Sequence, residues 1–160
     1  MELHAHGLDL RVTPNFKGHQ GDFARIAVEA DAPGFSGRFD AWVERNDFMR
    51  FATGLESLDV NLRAGDTAVL DTIEGDFSLV LTMQSGGHIG GVYRFQGGWF
   101  DQTQPTVLSG AFTMDQSYLP ELRKQVAALL ATTATGTSLQ RALQPDAPEL
   151  AHNGNGSPCR

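Results

Sequence analysis

The feature that most constrains this chain is an alternation of apolar and polar side chains that recurs through the first 115 residues. Phe77, Leu79, Leu81 and Met83 share one parity, opposed by Asp76, Ser78, Thr82 and Gln84. Phe35, Phe39, Ala41 and Val43 oppose Arg38, Asp40, Trp42 and Glu44, and Ile89, Gly91, Tyr93 and Phe95 oppose His88, Arg94 and Gln96. Leu8, Leu10 and Val12, then Ala24, Ile26 and Val28, and later Leu108, Gly110, Phe112 and Met114 repeat the pattern. Successive side chains on a strand point to opposite faces, so each segment has one dry and one wet face. That is the signature of antiparallel strands, since parallel ones read as unbroken apolar runs.

Turn residues fall between the segments. Asp31-Ala32-Pro33-Gly34, Arg63-Ala64-Gly65-Asp66, Glu74-Gly75-Asp76 and Ser85-Gly86-Gly87 each separate two strand candidates and favour short hairpin links. Two stretches change to helical spacing. Phe48, Phe51, Leu55 and Leu58 predict a helix over 46–60 with Asn46 as its N-cap. Gly54 inside it costs about 1 kcal/mol relative to alanine. Leu119, Leu122, Val126, Leu129 and Leu130 predict a second helix over 117–131, with Pro120 tolerated in its first turn. Each helix has an apolar stripe to bury, and the dry face of the sheet is the surface available to it. The expected fold is α+β: one mainly antiparallel sheet of about six to eight strands with two helices packed on one face. Residues 1–131 make one domain, and 132–160, rich in Thr, Gly, Pro and Asn, read as a flexible tail.

Charge and cysteine content narrow the classes of function. Residues 1–131 hold ten Lys and Arg against 17 Asp and Glu, so this segment carries the whole net charge of −7. Such a domain repels phosphate backbones and anionic lipid, which disfavours nucleic acid and membrane surfaces and leaves a basic protein partner compatible. No apolar run reaches the roughly 18 residues of a membrane span, and MELHAHGLDLRV lacks the pattern of a secretory signal. Cys159 is the one cysteine, so no intramolecular disulfide forms. A cytoplasmic location is expected.

No motif selects a reaction. His4 and His6 project from one face of a strand, as two metal ligands would, with His19, His88 or a carboxylate as the third. An incidental pair near a terminus is the simpler account, and neither a metal nor a cofactor is expected. Gly86-Gly87 and Gly97-Gly98 open no helix and precede no Lys-Ser/Thr, so hairpin turns explain them better than phosphate loops. Asp40 and Glu44 share a strand face about 13 Å apart, too far for paired acid–base carboxylates. Trp42 stands among Arg38, Asp40 and Glu44 on the face away from the helices, and an aromatic set in a charged rim is the composition of a binding hot spot. Val80 and Val92 share the outer parity of their strands and extend that face into an apolar strip. Were the chain a ligand-binding protein, His88, Tyr93 and Arg94 would be the residues to hold an anion.

The order of elements in the C-terminal two-thirds resembles that of small bacterial toxin-immunity proteins of the WapI type. The likeness covers residues 35–131. It is carried by Trp42, the Asp47-Phe48…Phe51…Leu55 helix, the Gly87-His88-Ile89 strand start and the stretch Asp115-Gln116-Ser117-Tyr118-Leu119 leading into the last helix. The resemblance implies a non-catalytic protein that binds and blocks a toxin. The reading is therefore a binding or inhibitory module whose candidate contacts are Arg38, Asp40, Trp42, Glu44, His88 and Arg94. Its partner would be another protein, such as a basic toxin. The alternatives are a self-associating accessory protein using the same face, and a small-ligand protein or enzyme with a pocket between sheet and helices.

Overall fold

The computed structural model describes residues 1–20, 23–97 and 106–142, with side chains of 15–20 and 132–142 excepted. The side chain of His19, the residue Gly98 and the tail from 143 to Cys159 and beyond lie outside this description. Strands β1 (Glu2–Ala5), β2 (Leu8–Gln20), β3 (Phe23–Ala32) and β4 (Phe35–Glu44) form one antiparallel sheet in chain order. Helix α1 (Arg45–Asn61) follows. Strands β5 (Thr67–Asp71), β6 (Phe77–Met83), β7 (His88–Gly97) and β8 (Thr106–Asp115) then form a second antiparallel sheet, again in chain order. Helix α2 (Leu119–Ala142) ends the described chain.

The single sheet expected from the alternation is therefore corrected to two sheets of four strands. β4 runs directly into α1, so no hairpin links it to β5 and the meander starts afresh. Among the described residues one antiparallel bridge joins the sheets: His6 N donates to the Thr113 carbonyl at 3.1 Å, and Thr113 N returns the bond at 3.3 Å. Strongly twisted sheets of many strands tend to curl and split in this way, which lets one core be wrapped from both sides.

That core is continuous. Leu10, Val12, Ile26, Val28 and Val43 from the first sheet, Phe77, Leu79, Leu81 and Phe95 from the second, and the apolar stripes of both helices belong to one buried cluster. Phe39 of β4 meets Phe95 of β7 with ring centroids 5.7 Å apart, and Phe95 stacks on both Phe77 (5.0 Å) and Tyr93 (5.1 Å). Phe35, on the same parity as Phe39, lies past the edge of the core and is 38% exposed.

The helices differ from expectation at their ends. The residue preceding α1 is Glu44, not Asn46, and its backbone N–H donates to Asp47 Oδ2 at 2.9 Å. Asp47, buried, also takes Arg50 Nη2 at 2.6 Å through its other oxygen. Asp115 accepts from Ser117 N at 2.8 Å, and a 3-10 turn over Gln116–Tyr118 leads into α2. α2 continues past Ala131 to Ala142; no proline interrupts it before Pro145, and threonine lowers helix propensity without breaking the backbone bonds. Gly54 has a packing reason. A Cβ there would sit 2.8 Å from the Ala68 Cα, so glycine permits α1 to lie directly on β5.

Candidate partner-binding surface

The outer face of the first sheet is a ladder of paired charges. Arg11 joins Glu2 at 2.9 Å and Glu29 at 3.9 Å, Glu29 also meets Arg38 at 3.4 Å, and Arg25 binds Asp40 at 2.7 Å. The register explains the pattern, since Arg11 and Arg38 both lie directly opposite Glu29. Trp42 sits across from Arg25 and is half-buried. Thus Arg38 and Asp40 are committed to cross-strand pairs, and Glu44 leads into α1.

Beyond Trp42, the connection between β5 and β6 closes over the seam between the sheets. The Trp42 N–H donates to Asp76 Oδ2 at 3.3 Å, and the Thr72 hydroxyl donates to the other Asp76 oxygen. Within the turn, Gly75 N donates to the Thr72 carbonyl (2.9 Å) and Thr72 N to the Phe77 carbonyl (3.0 Å). From β7, Gln96 N donates to the Asp76 carbonyl at 2.8 Å. Arg94 reaches the Gly75 carbonyl with one guanidinium nitrogen (2.9 Å) and Gln96 Oε1 with the other (2.6 Å). Among the described residues four polar side chains are buried, and three of them, Thr72, Asp76 and Gln96, belong to this arrangement. Burying a carboxyl costs several kcal/mol unless its oxygens are bonded, and here both are. At the tip stands Ile73, 70% exposed, between exposed Asp71 and Glu74.

The valines lie elsewhere. Val80 and Val92 are on the outer face of the second sheet, not around Trp42 on the first. With Val69 and Ala111 they make one row, since Val69 opposes Val80, Val80 opposes Val92 and Val92 opposes Ala111. Val69 and Val92 are 43% and 59% exposed.

His88 and Arg94 share β7 but are six residues apart, about 20 Å along the strand, so they do not converge on one anion. His88 instead lines a cleft of about 280 Å³ with His4, His6, Asp115 and Tyr118. His4 Nδ1 lies 2.9 Å from Asp9 Oδ1. Hydrogen bonds from Ser117 hold the Asp115 carboxyl below its usual range, and the nearby His88 adds to the effect. Among the described residues no group of three or more His, Cys, Asp or Glu is arranged to hold a metal ion. Tyr93 is buried in the aromatic cluster. A second, apolar cleft of about 270 Å³ between Phe35, Phe39, Phe95 and Leu108 opens at the far ends of β4 and β7.

Of the residues singled out from the sequence, the structure brings Trp42 and Arg94 together, one bonded to the side chain of Asp76 and the other to the backbone beside it. Sequence reasoning missed Thr72, Ile73 and Asp76. The signal present was Glu74-Gly75-Asp76, read only as a link between strands. An isoleucine inside a polar turn was the further clue, because turn tips ordinarily select small or polar residues.

No helix in the described residues is long and apolar enough to cross a membrane. Comparison with curated proteins and with solved structures gave no match. The profile of the immunity protein WapI-like family, in contrast, matches residues 2–133, which takes in both sheets, α1 and the first part of α2. The chain belongs to the WapI-like immunity protein family.

Proposed function

We propose that this protein binds a toxin protein and neutralises it by occupying its working surface, with no chemistry of its own. The observation that carries this reading is the family match over residues 2–133. The acidic excess of residues 1–131, ten basic against 17 acidic side chains, supports a basic partner, because complementary charge speeds encounter and favours correct orientation. The contact surface we assign is the edge of the first sheet around Trp42, with Arg38, Asp40 and Glu44 as its charged surround. Arg94 contributes by holding the adjoining turn, and His88, at the opposite end of β7, serves a separate rim. The protein acts in the cytoplasm on this reading.

The test is co-expression with the toxin identified as its partner, the gene directly upstream being the first place to look for it. Restored growth of the toxin-expressing cells is the expected result. Undiminished killing with soluble, folded protein present would overturn the reading.

A second reading is favoured by the Val69–Val80–Val92–Ala111 row, whose exposed, uncharged surface suits self-association. Light scattering over a range of concentrations separates the two. A strict monomer at every concentration excludes the second.

A further inference from the structure

The connection from Asp71 to Phe77 is built far more heavily than a hairpin requires. Two strands can be joined by a pair of turn residues with no buried polar group at all. Here a buried carboxyl and a buried threonine of the turn itself, with a buried glutamine and an arginine from β7, fix the turn from within. The seam between the sheets accounts for Asp76, which ties Trp42 of β4 to the turn. It does not account for Ile73. That side chain remains 70% exposed, although isoleucine is among the residues most strongly driven to burial.

We propose that the Ile73 turn is the anchor with which this protein engages its toxin, an inference that rests on the function assigned above. A rigid apolar side chain gains affinity because little conformational freedom is lost on binding. Hot spots consist of such anchors seated in partner pockets, ringed by contacts that exclude water. The flanking Asp71 and Glu74 are exposed, and Arg94, which reaches the turn, is engaged with the Gly75 carbonyl and Gln96. The matching site on the toxin is therefore an apolar socket rimmed by lysine or arginine. Trp42, half-buried at the base of the turn, forms the adjoining part of the same contact.

The test uses the full chain and the purified toxin that it neutralises on co-expression, with affinity measured by calorimetry. Ile73→Asp changes an exposed tip and preserves the interior bonds, so its unfolding midpoint stays at the wild-type value. The variant is expected to bind roughly thirty-fold more weakly or worse. Glu74→Lys is expected to slow association and to reduce the salt dependence of binding. Val92→Asp, on the valine row of the second sheet, is expected to bind within about two-fold of wild type. Wild-type affinity for Ile73→Asp overturns the anchor while leaving the immunity function standing. Loss of binding in Val92→Asp with Ile73→Asp unaffected moves the contact to the valine row and likewise overturns it. Failure of the wild-type chain to bind the toxin overturns both.

Discussion

Replacing Asp76 with alanine removes the acceptor for two donors at once, and the cost can be worked from the surroundings of each. Thr72 is 4% exposed and loses its bond to Asp76 Oδ1. Its hydroxyl still has the Phe77 carbonyl at 3.2 Å, so this loss falls at the low end of the penalty for a buried donor, about 1 kcal/mol. The Trp42 N–H, bonded at 3.3 Å, belongs to a half-buried residue that water reaches through the space the side chain vacates, which adds about 1 kcal/mol. The sum is about 2 kcal/mol, or a fall in melting temperature of roughly 8 °C for a domain of this size. Asp76→Asn keeps an amide oxygen as acceptor and should lose only about half as much. Urea unfolding at neutral pH, followed by far-ultraviolet circular dichroism, measures both variants, and an unchanged slope with denaturant shows that the unfolded state is the same. A loss below about 0.5 kcal/mol for the alanine variant would refute the reasoning. So would equal losses for asparagine and alanine, because charge and not the bonded geometry would then be what matters.

Further outcomes follow from single positions. Gly54→Ala places a Cβ 2.8 Å from the Ala68 Cα and should destabilise by about 1–3 kcal/mol despite the higher helix propensity of alanine; a gain in melting temperature would show that α1 can lift off β5 at little cost. Leu62 ends α1 in the left-handed region at φ 49°, so Leu62→Gly should stabilise by about 1 kcal/mol, measured by the same urea unfolding. Asp115 titrates below its ordinary 3.8 in the folded protein because Ser117 bonds its charged form. A depressed carboxyl contributes stability that is present above 3.8 and lost as pH falls through the lowered folded value. Carbon-detected titration should show the depressed midpoint, and Asp115→Asn should flatten the acid limb of the stability profile.

The local pattern of this fold is written plainly in the chain. Phe77, Leu79, Leu81 and Met83 are buried while Ser78, Val80 and Thr82 between them are only half-buried, as the alternation demands. Phe48, Phe51, Leu55 and Leu58 occupy the dry side of α1 for the same reason. What the alternation does not encode is which sheet a strand joins, because a dry face looks the same whether the core is covered from one side or wrapped from two. The division into two sheets depends on the run of β4 into α1, and the bridge that ties them together, His6 to Thr113, is announced by no periodicity. The candidate surface was half legible. Trp42 stood out by size and company, but its link to Asp76 spans 34 residues and crosses from one sheet to the other. Val80 and Val92 were correctly read as outward-facing and attached to the wrong sheet, since parity gives a face without saying whose. The Gly54 position illustrates the same limit from the helix side: propensity registers a defect, and only the crossing with Ala68 shows the need.

Stoichiometric titration tests the central claim most directly. Increasing amounts of the purified chain are added to a fixed amount of its active toxin partner, and residual toxin activity is measured after short and long incubations. A protein that neutralises by occupation should abolish activity in a straight line that ends at one equivalent, with the same endpoint at both times. Complete inactivation by a small fraction of an equivalent, deepening with time, would mean that the chain turns the toxin over. Undiminished toxin activity at several equivalents would contradict the account altogether.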